Sequence, residues 1–125
     1  MDRKTAALLH DALVALDEIA FFTAGLTRED FDERRGTQLI VERLIITVGE
    51  ALSQAAKTLD DLEVYIPELW GIVGTRNRII HGYRDIDDDV VWGVVVTKAP
   101  ELAALLRSLL EQFGPPLSER RVQGG

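Results

Sequence analysis

A row of apolar residues at helical spacing through the middle of the chain constrains its fold more than any other feature. Ile40, Leu44, Val48, Ala51, Ala55 and Leu59 recur at steps of four, four, three, four and four. This spacing stacks side chains along one face of an α-helix and cannot line one face of a strand. It predicts a long helix over residues 37–60. A wider stripe predicts a first helix over residues 4–24, where Leu9, Leu13, Leu16 and Ala20 are flanked by Leu8, Ala12, Ala15, Ile19 and Phe22. Gly25 suits its end. Gly49, inside the long helix, lets a neighbour approach closely or allows a bend. Glu50 follows it among apolar residues, either as a solvated acid or as the partner of an arginine.

The remaining segments fit the same architecture. Thr27, with an acid three residues on at Asp30, reads as the start of a short helix through about Glu33 that Phe31 anchors. Gly36 separates it from the long helix. Residues 60–66 form a connection, and Pro67 suits the first turn of a helix running to about Ile80. Val90 to Val96 is β-branched and has strand propensity. A lone strand leaves its backbone unpaired, however, and the acids before it suit a helix N-terminus, so residues 88–98 are assigned to a helix. A kink is expected near Pro100. Leu102, Leu105, Leu106, Leu109 and Phe113 close the bundle, and residues 114–125 read as a disordered tail. The expected fold is all-α, an up-and-down bundle of four to five helices in one domain over residues 1–113.

Composition excludes several function classes. A formal charge of −7 opposes a general nucleic-acid coat, although a small local basic site remains compatible with it. The chain has no cysteine, so disulfides and thiolate metal sites are absent. Neither a signal peptide nor a membrane-spanning run is evident, which makes a cytoplasmic domain with no membrane partner the expectation. Asp85, Asp87 and Asp89 have the spacing that begins an EF-hand. Val90 and Val96 then occupy the positions where that loop needs glycine and an acid. His10 and His81 form no zinc signature, so neither a metal site nor a cofactor is expected. Gly74-Thr75 followed by Asp85 and Asp87 loosely imitates a nucleotidyltransferase signature, but no sheet carries the acids.

Chemistry concentrates at Arg76-Asn77-Arg78-Ile79-Ile80-His81-Gly82-Tyr83. Histidine suits proton transfer near neutral pH, and arginine is a permanent forked phosphate binder. Together they suit cleavage of an RNA phosphodiester without a metal, with the ribose 2′-hydroxyl as nucleophile. The plainer reading is that Arg76, Asn77 and His81 cap a helix end and bind the acidic turn after it. With Arg76 at zero, Asn77 projects near ~100°, His81 near ~140° and Tyr83 near ~340° around a continuing helix. Arg76 and His81 therefore do not converge on one straight helix. Either the helix end at Gly82 redirects them, or a second copy of the chain completes the site.

The pattern Arg76…His81-Gly82-Tyr83, with Asn77 after the arginine, resembles the signature of the HEPN ribonucleases, specifically the HepT toxins. Ile45 to Ala51, Tyr65 to Trp70 and Asp89 to Trp92 resemble the flanking segments of that family, in the expected order over roughly residues 5–113. The resemblance implies a homodimeric HEPN bundle, with catalytic Arg76 and His81, supporting Asn77 and an RNA substrate. It further implies a nucleotidyltransferase antitoxin of the MntA kind as partner, which transfers AMP to Tyr83. The other reading is a non-catalytic HEPN interaction module that binds and regulates a nucleotidyltransferase.

Overall fold

A computed structural model of the chain describes residues 1–82 and 88–113. Its elements are α1 (Arg3–Thr23), α2 (Arg28–Glu33), α3 (Arg35–Ala56), α4 (Leu62–Tyr65), α5 (Leu69–Ile80), α6 (Asp88–Gly93), a π-helical turn (Val94–Lys98) and α7 (Ala99–Phe113). There is no strand among the described residues. The expectations for Tyr83, Asp85, Asp87, the Phe113 side chain and the tail at 114–125 lie outside those residues. None of the described helices is long and apolar enough to cross a membrane.

The long helices lie in the order α5, α3, α1, α7, each packed mainly on its neighbours in that series. The Thr5 and Thr58 hydroxyls bond to each other, so the start of α1 meets the end of α3 and the two run antiparallel. On the other side of α1, Arg107 of α7 places its Nη2 2.8 and 2.6 Å from the two carboxylate oxygens of Asp17. Leu9, Ala12, Leu16 and Ile19 of α1 are buried against Val41, Ile45, Val48, Leu52 and Ala55 of α3, with Leu102 and Leu106 of α7 closing the core.

The expected row of α3 is buried at Val48, Ala51 and Ala55, and the buried arc extends to one side of it. Ile40 is exposed and Leu44 half-buried, whereas Val41, Ile45 and Leu52 are fully enclosed. The helix is apolar over a broad arc, and its two flanking partners, α1 and α5, centre the burial between them. It also ends earlier than expected, at Ala56. There the Ala55 carbonyl accepts from the Thr58 hydroxyl at 2.8 Å and from the backbone N–H groups of Thr58 and Leu59.

The short elements tie down the ends of the long ones. Thr27 and Asp30 form a reciprocal capping box at α2. Buried Gln38 donates to the carbonyls of Phe31 and Asp32, which fixes α2 onto α3. Only Arg34 separates these helices, so Gly36 falls inside α3 rather than between them. The expected connection at 60–66 contains α4, because Leu62 and Ile66, one turn apart, are both buried. Pro67 lies in the turn before α5 rather than within it; the first α5 bond runs from the Ile72 N–H to the Glu68 carbonyl.

The valine-rich segment is helical, as expected. Val91, Val94 and Val95 are buried, and Trp92 stacks on Phe31 at 5.2 Å between ring centroids. Where a kink is expected near Pro100, the helix has a π turn just before it, and the Ala99 N–H reaches back to the Val94 carbonyl. Pro100 follows directly in α7, and having no N–H it offers no bond back to the turn before it.

Candidate active site

The site begins at a glycine. Gly49 is buried in α3, and Arg76 of α5 lies directly on it. A Cβ at Gly49 would overlap the Arg76 Cβ and stand 2.7 Å from its Cγ. Any side chain at position 49 would push α5 away. The close approach expected of Gly49 is therefore what seats the arginine.

Arg76 spends its aliphatic stem on this contact, and its side chain remains 28% exposed. Nη1 donates to the Asn77 Oδ1 at 2.6 Å, and Nη2 stands 3.5 Å from the Glu50 Oε1. Its Nε is buried and has no hydrogen-bond partner among the described residues. Glu50 is thus the arginine's partner, but a loose one: its side chain is 54% exposed, and such pairs contribute little in water. The guanidinium is oriented while much of its bonding capacity remains available.

His81 is placed by the end of α5. Its N–H bonds to the Asn77 carbonyl at 3.0 Å, and the Gly82 N–H bonds to Ile79 at 3.1 Å. Gly82 takes φ of 63°, a left-handed conformation that ends the helix with little strain only for glycine. Exposed His81 is the cap residue between the last helical position, Ile80, and this reversal. Because α5 stops at Ile80, the projection of Tyr83 around a continuing helix no longer applies.

Of the four residues singled out, the structure brings Arg76 and Asn77 into contact, sets His81 one turn beyond Asn77 and leaves Tyr83 outside the described residues. Asp88 and Asp89 lie in the first turn of α6, where acids suit the helix dipole, and Asp89 pairs with Arg28 of α2 at 2.6 Å. No cluster of three metal-ligating side chains occurs among the described residues.

A family model described as "Ribonuclease HepT-like" matches residues 12–109, a span holding α3, α5 and the whole Arg76–Tyr83 segment. The chain belongs to the HepT-like ribonuclease family. Among its relatives is "Putative RNase MJ1216" of Methanocaldococcus jannaschii, 29% identical over 111 residues, which span 89% of this chain and 91% of that one. "Probable ribonuclease HepT" of Thermococcus cleftensis is 30% identical over 110 residues, covering 87% and 98% of the two chains. No solved structure matches. In this HepT-like chain, the Gly49–Arg76 contact and the helix end at His81-Gly82 are the local geometry built around the motif.

Proposed function

We propose that this chain is an endoribonuclease toxin that cleaves RNA at a site formed by Arg76 and His81. The observation that carries the reading is Arg76, whose stem is seated on Gly49 and whose head group is held by Asn77, on the same helix that ends at His81. In this reading an imidazole removes the proton from a ribose 2′-hydroxyl, whose oxygen attacks the adjacent phosphorus. The bond to the 5′-oxygen breaks, and a protonated imidazole donates to that leaving oxygen. The products are a 2′,3′-cyclic phosphate and a 5′-hydroxyl. Arg76 stabilises charge on the phosphorane, and Asn77 holds Arg76. These groups supply acid, base and charge stabilisation, so no metal is assigned a step.

Two imidazoles are needed at once, one as base and one as acid, and each chain places one at the end of α5. A homodimer joining two copies of the α3–α5 face would supply both. Its support is the outer face of α5: a Cβ at Gly74 meets nothing, and one at Gly71 meets only its own chain's Glu68.

Regulation belongs to the same proposal. A nucleotidyltransferase antitoxin of the type VII kind would transfer AMP from ATP to the Tyr83 phenol, with pyrophosphate as leaving group. Tyr83 follows His81 by two residues, so the adenylate would put bulk and negative charge where the RNA phosphate must bind.

His81→Ala should lower cleavage by about 10²–10⁴-fold, the usual worth of a general acid or base. Stability should stay within ~0.5 kcal/mol, as for exposed positions. The assay is single-turnover cleavage of RNA by Tyr83-unmodified protein, repeated in EDTA, alongside urea unfolding. If the unmodified wild-type protein leaves RNA intact, the chain is instead a non-catalytic module that binds its transferase.

A further inference from the structure

Trp70 lies outside the motif, yet it shares a helix face with it. On α5, residues 70, 74, 77 and 81 recur at steps of four, three and four, which places Trp70, Gly74, Asn77 and His81 along one stripe. Trp70 is 54% exposed. A large aromatic ring left in water on a helix that buries Leu69 and Ile72 beside it is not core packing.

The ring is held in place. Its Nε1 donates to the Glu63 Oε2 at 2.7 Å, linking α5 to α4. That bond satisfies the one polar atom of the indole. Gly74, the next position on the stripe, carries no side chain to separate the ring from Asn77.

A cation lies near the same level. Gly49 of α3 touches Arg76 of α5, and both helices run from there toward the α4 connection. Lys57, eight residues beyond Gly49, is then ~12 Å along α3, and Trp70, six residues before Arg76, is ~9 Å along α5. Lys57 is exposed and follows Glu50 by seven residues, so it projects from the same side of α3 as the arginine's partner.

We propose that Trp70 is the base-stacking platform of this ribonuclease, with Lys57 holding a phosphate beside the stacked nucleotide. The inference rests on the ribonuclease reading and adds a residue that positions the RNA on it. By helical rise Trp70 stands ~16 Å along the axis from His81, so the stacked base lies a few nucleotides from the scissile bond. A π-face accepts any base, and such stacking contributes about 1–3 kcal/mol per base. RNA is favoured over a protein partner because the stripe leads from the ring to the phosphate-binding and proton-transferring groups. The acid beside the ring, Glu63, bonds to its edge, where it constrains the indole without covering its face.

The test uses the full chain and a single-stranded RNA with a 2′-O-methyl group at the cleaved position, which binds but does not react. Binding should quench Trp70 fluorescence in a Trp92→Phe background. Trp70→Ala should weaken binding about 5- to 100-fold, raise KM rather than lower kcat, and redistribute the cut positions. Trp70→Phe should restore much of the affinity, and Lys57→Gln should weaken binding and reduce its salt dependence. Cleavage by the wild type, with Trp70→Ala unchanged in KM and cut positions, would overturn the platform and leave the ribonuclease standing. A Trp70→Ala variant that changes only the sedimentation behaviour would also overturn it, assigning the ring to a protein contact. Failure of the wild type both to cleave RNA and to show quenching would sink the two readings together.

Discussion

The two seams of α3 are built on opposite plans. Against α1 it presents an apolar surface, with Val48, Leu52 and Ala55 buried among Leu9, Ala12 and Ile19. Against α5 it presents Gly49, and the partner is the stem of a charged residue. The first seam buries apolar area and makes the fold. The second forgoes side-chain packing at one position so that a guanidinium can be carried on a rigid helix. Within a single element, stability and site construction are separated by about a third of a turn.

Substitutions on the two sides should therefore behave differently. The largest stability effect is expected on the α1 side, where Leu52→Ala should cost about 2–5 kcal/mol by lost burial and an unfilled cavity. Urea unfolding gives this value, and activity per folded molecule should stay near wild type. A large loss of specific activity with little loss of stability would show that the seams are not separate. Gly49→Ala should cost about 1–3 kcal/mol through overpacking and should also lower activity, because Arg76 must move. The double variant Gly49→Ala/Arg76→Gly should cost less than the sum of its single changes, a coupling read from a double-mutant cycle. Strict additivity would mean that the two residues do not constrain each other.

The smallest effect is on pH dependence. Asp30 titrates below the usual aspartate range, because the Thr27 backbone N–H and then its hydroxyl bond to the ionised carboxyl. Asp2 is lowered in the same way by Thr5 at the start of α1. A lowered folded value means that these caps stabilise above the ordinary aspartate range and lose that contribution as the pH falls through the folded value. The start of α5 has no side-chain cap to lose. Amide exchange between pH 5 and pH 3 should therefore show the starts of α1 and α2 loosening before that of α5. Loosening of α5 first would contradict this division.

Legibility differed in the same way between the seams. The helices of the α1 side follow from 3.6-residue periodicity, and the strand-like valine run is excluded as a lone strand because its backbone would be unpaired. The capping box at Thr27 and Asp30 was equally readable, because its partners are three residues apart. At the second seam, Arg76, Asn77 and His81 were visible as residue types and Glu50 as a possible arginine partner, but nothing local joins Glu50 to Arg76 across the intervening loop. The buried arc of α3 was found at Val48, Ala51 and Ala55, but its extension to Val41, Ile45 and Leu52 was missed for a similar reason. An apolar helix surface records that it will be covered, whereas the centre of the cover depends on where its neighbours stand.

The sequence by itself determined the helical class, the family, and the arginine, amide and histidine of the candidate site, because these depend on local periodicity and residue chemistry. Tertiary structure decided that Gly49 is the seat of Arg76, that α5 stops just before His81, and that Trp70 on the same stripe is 54% exposed. Those facts depend on how closely two helices approach and on which face the remaining helices leave uncovered, both set by contacts between residues far apart in the chain.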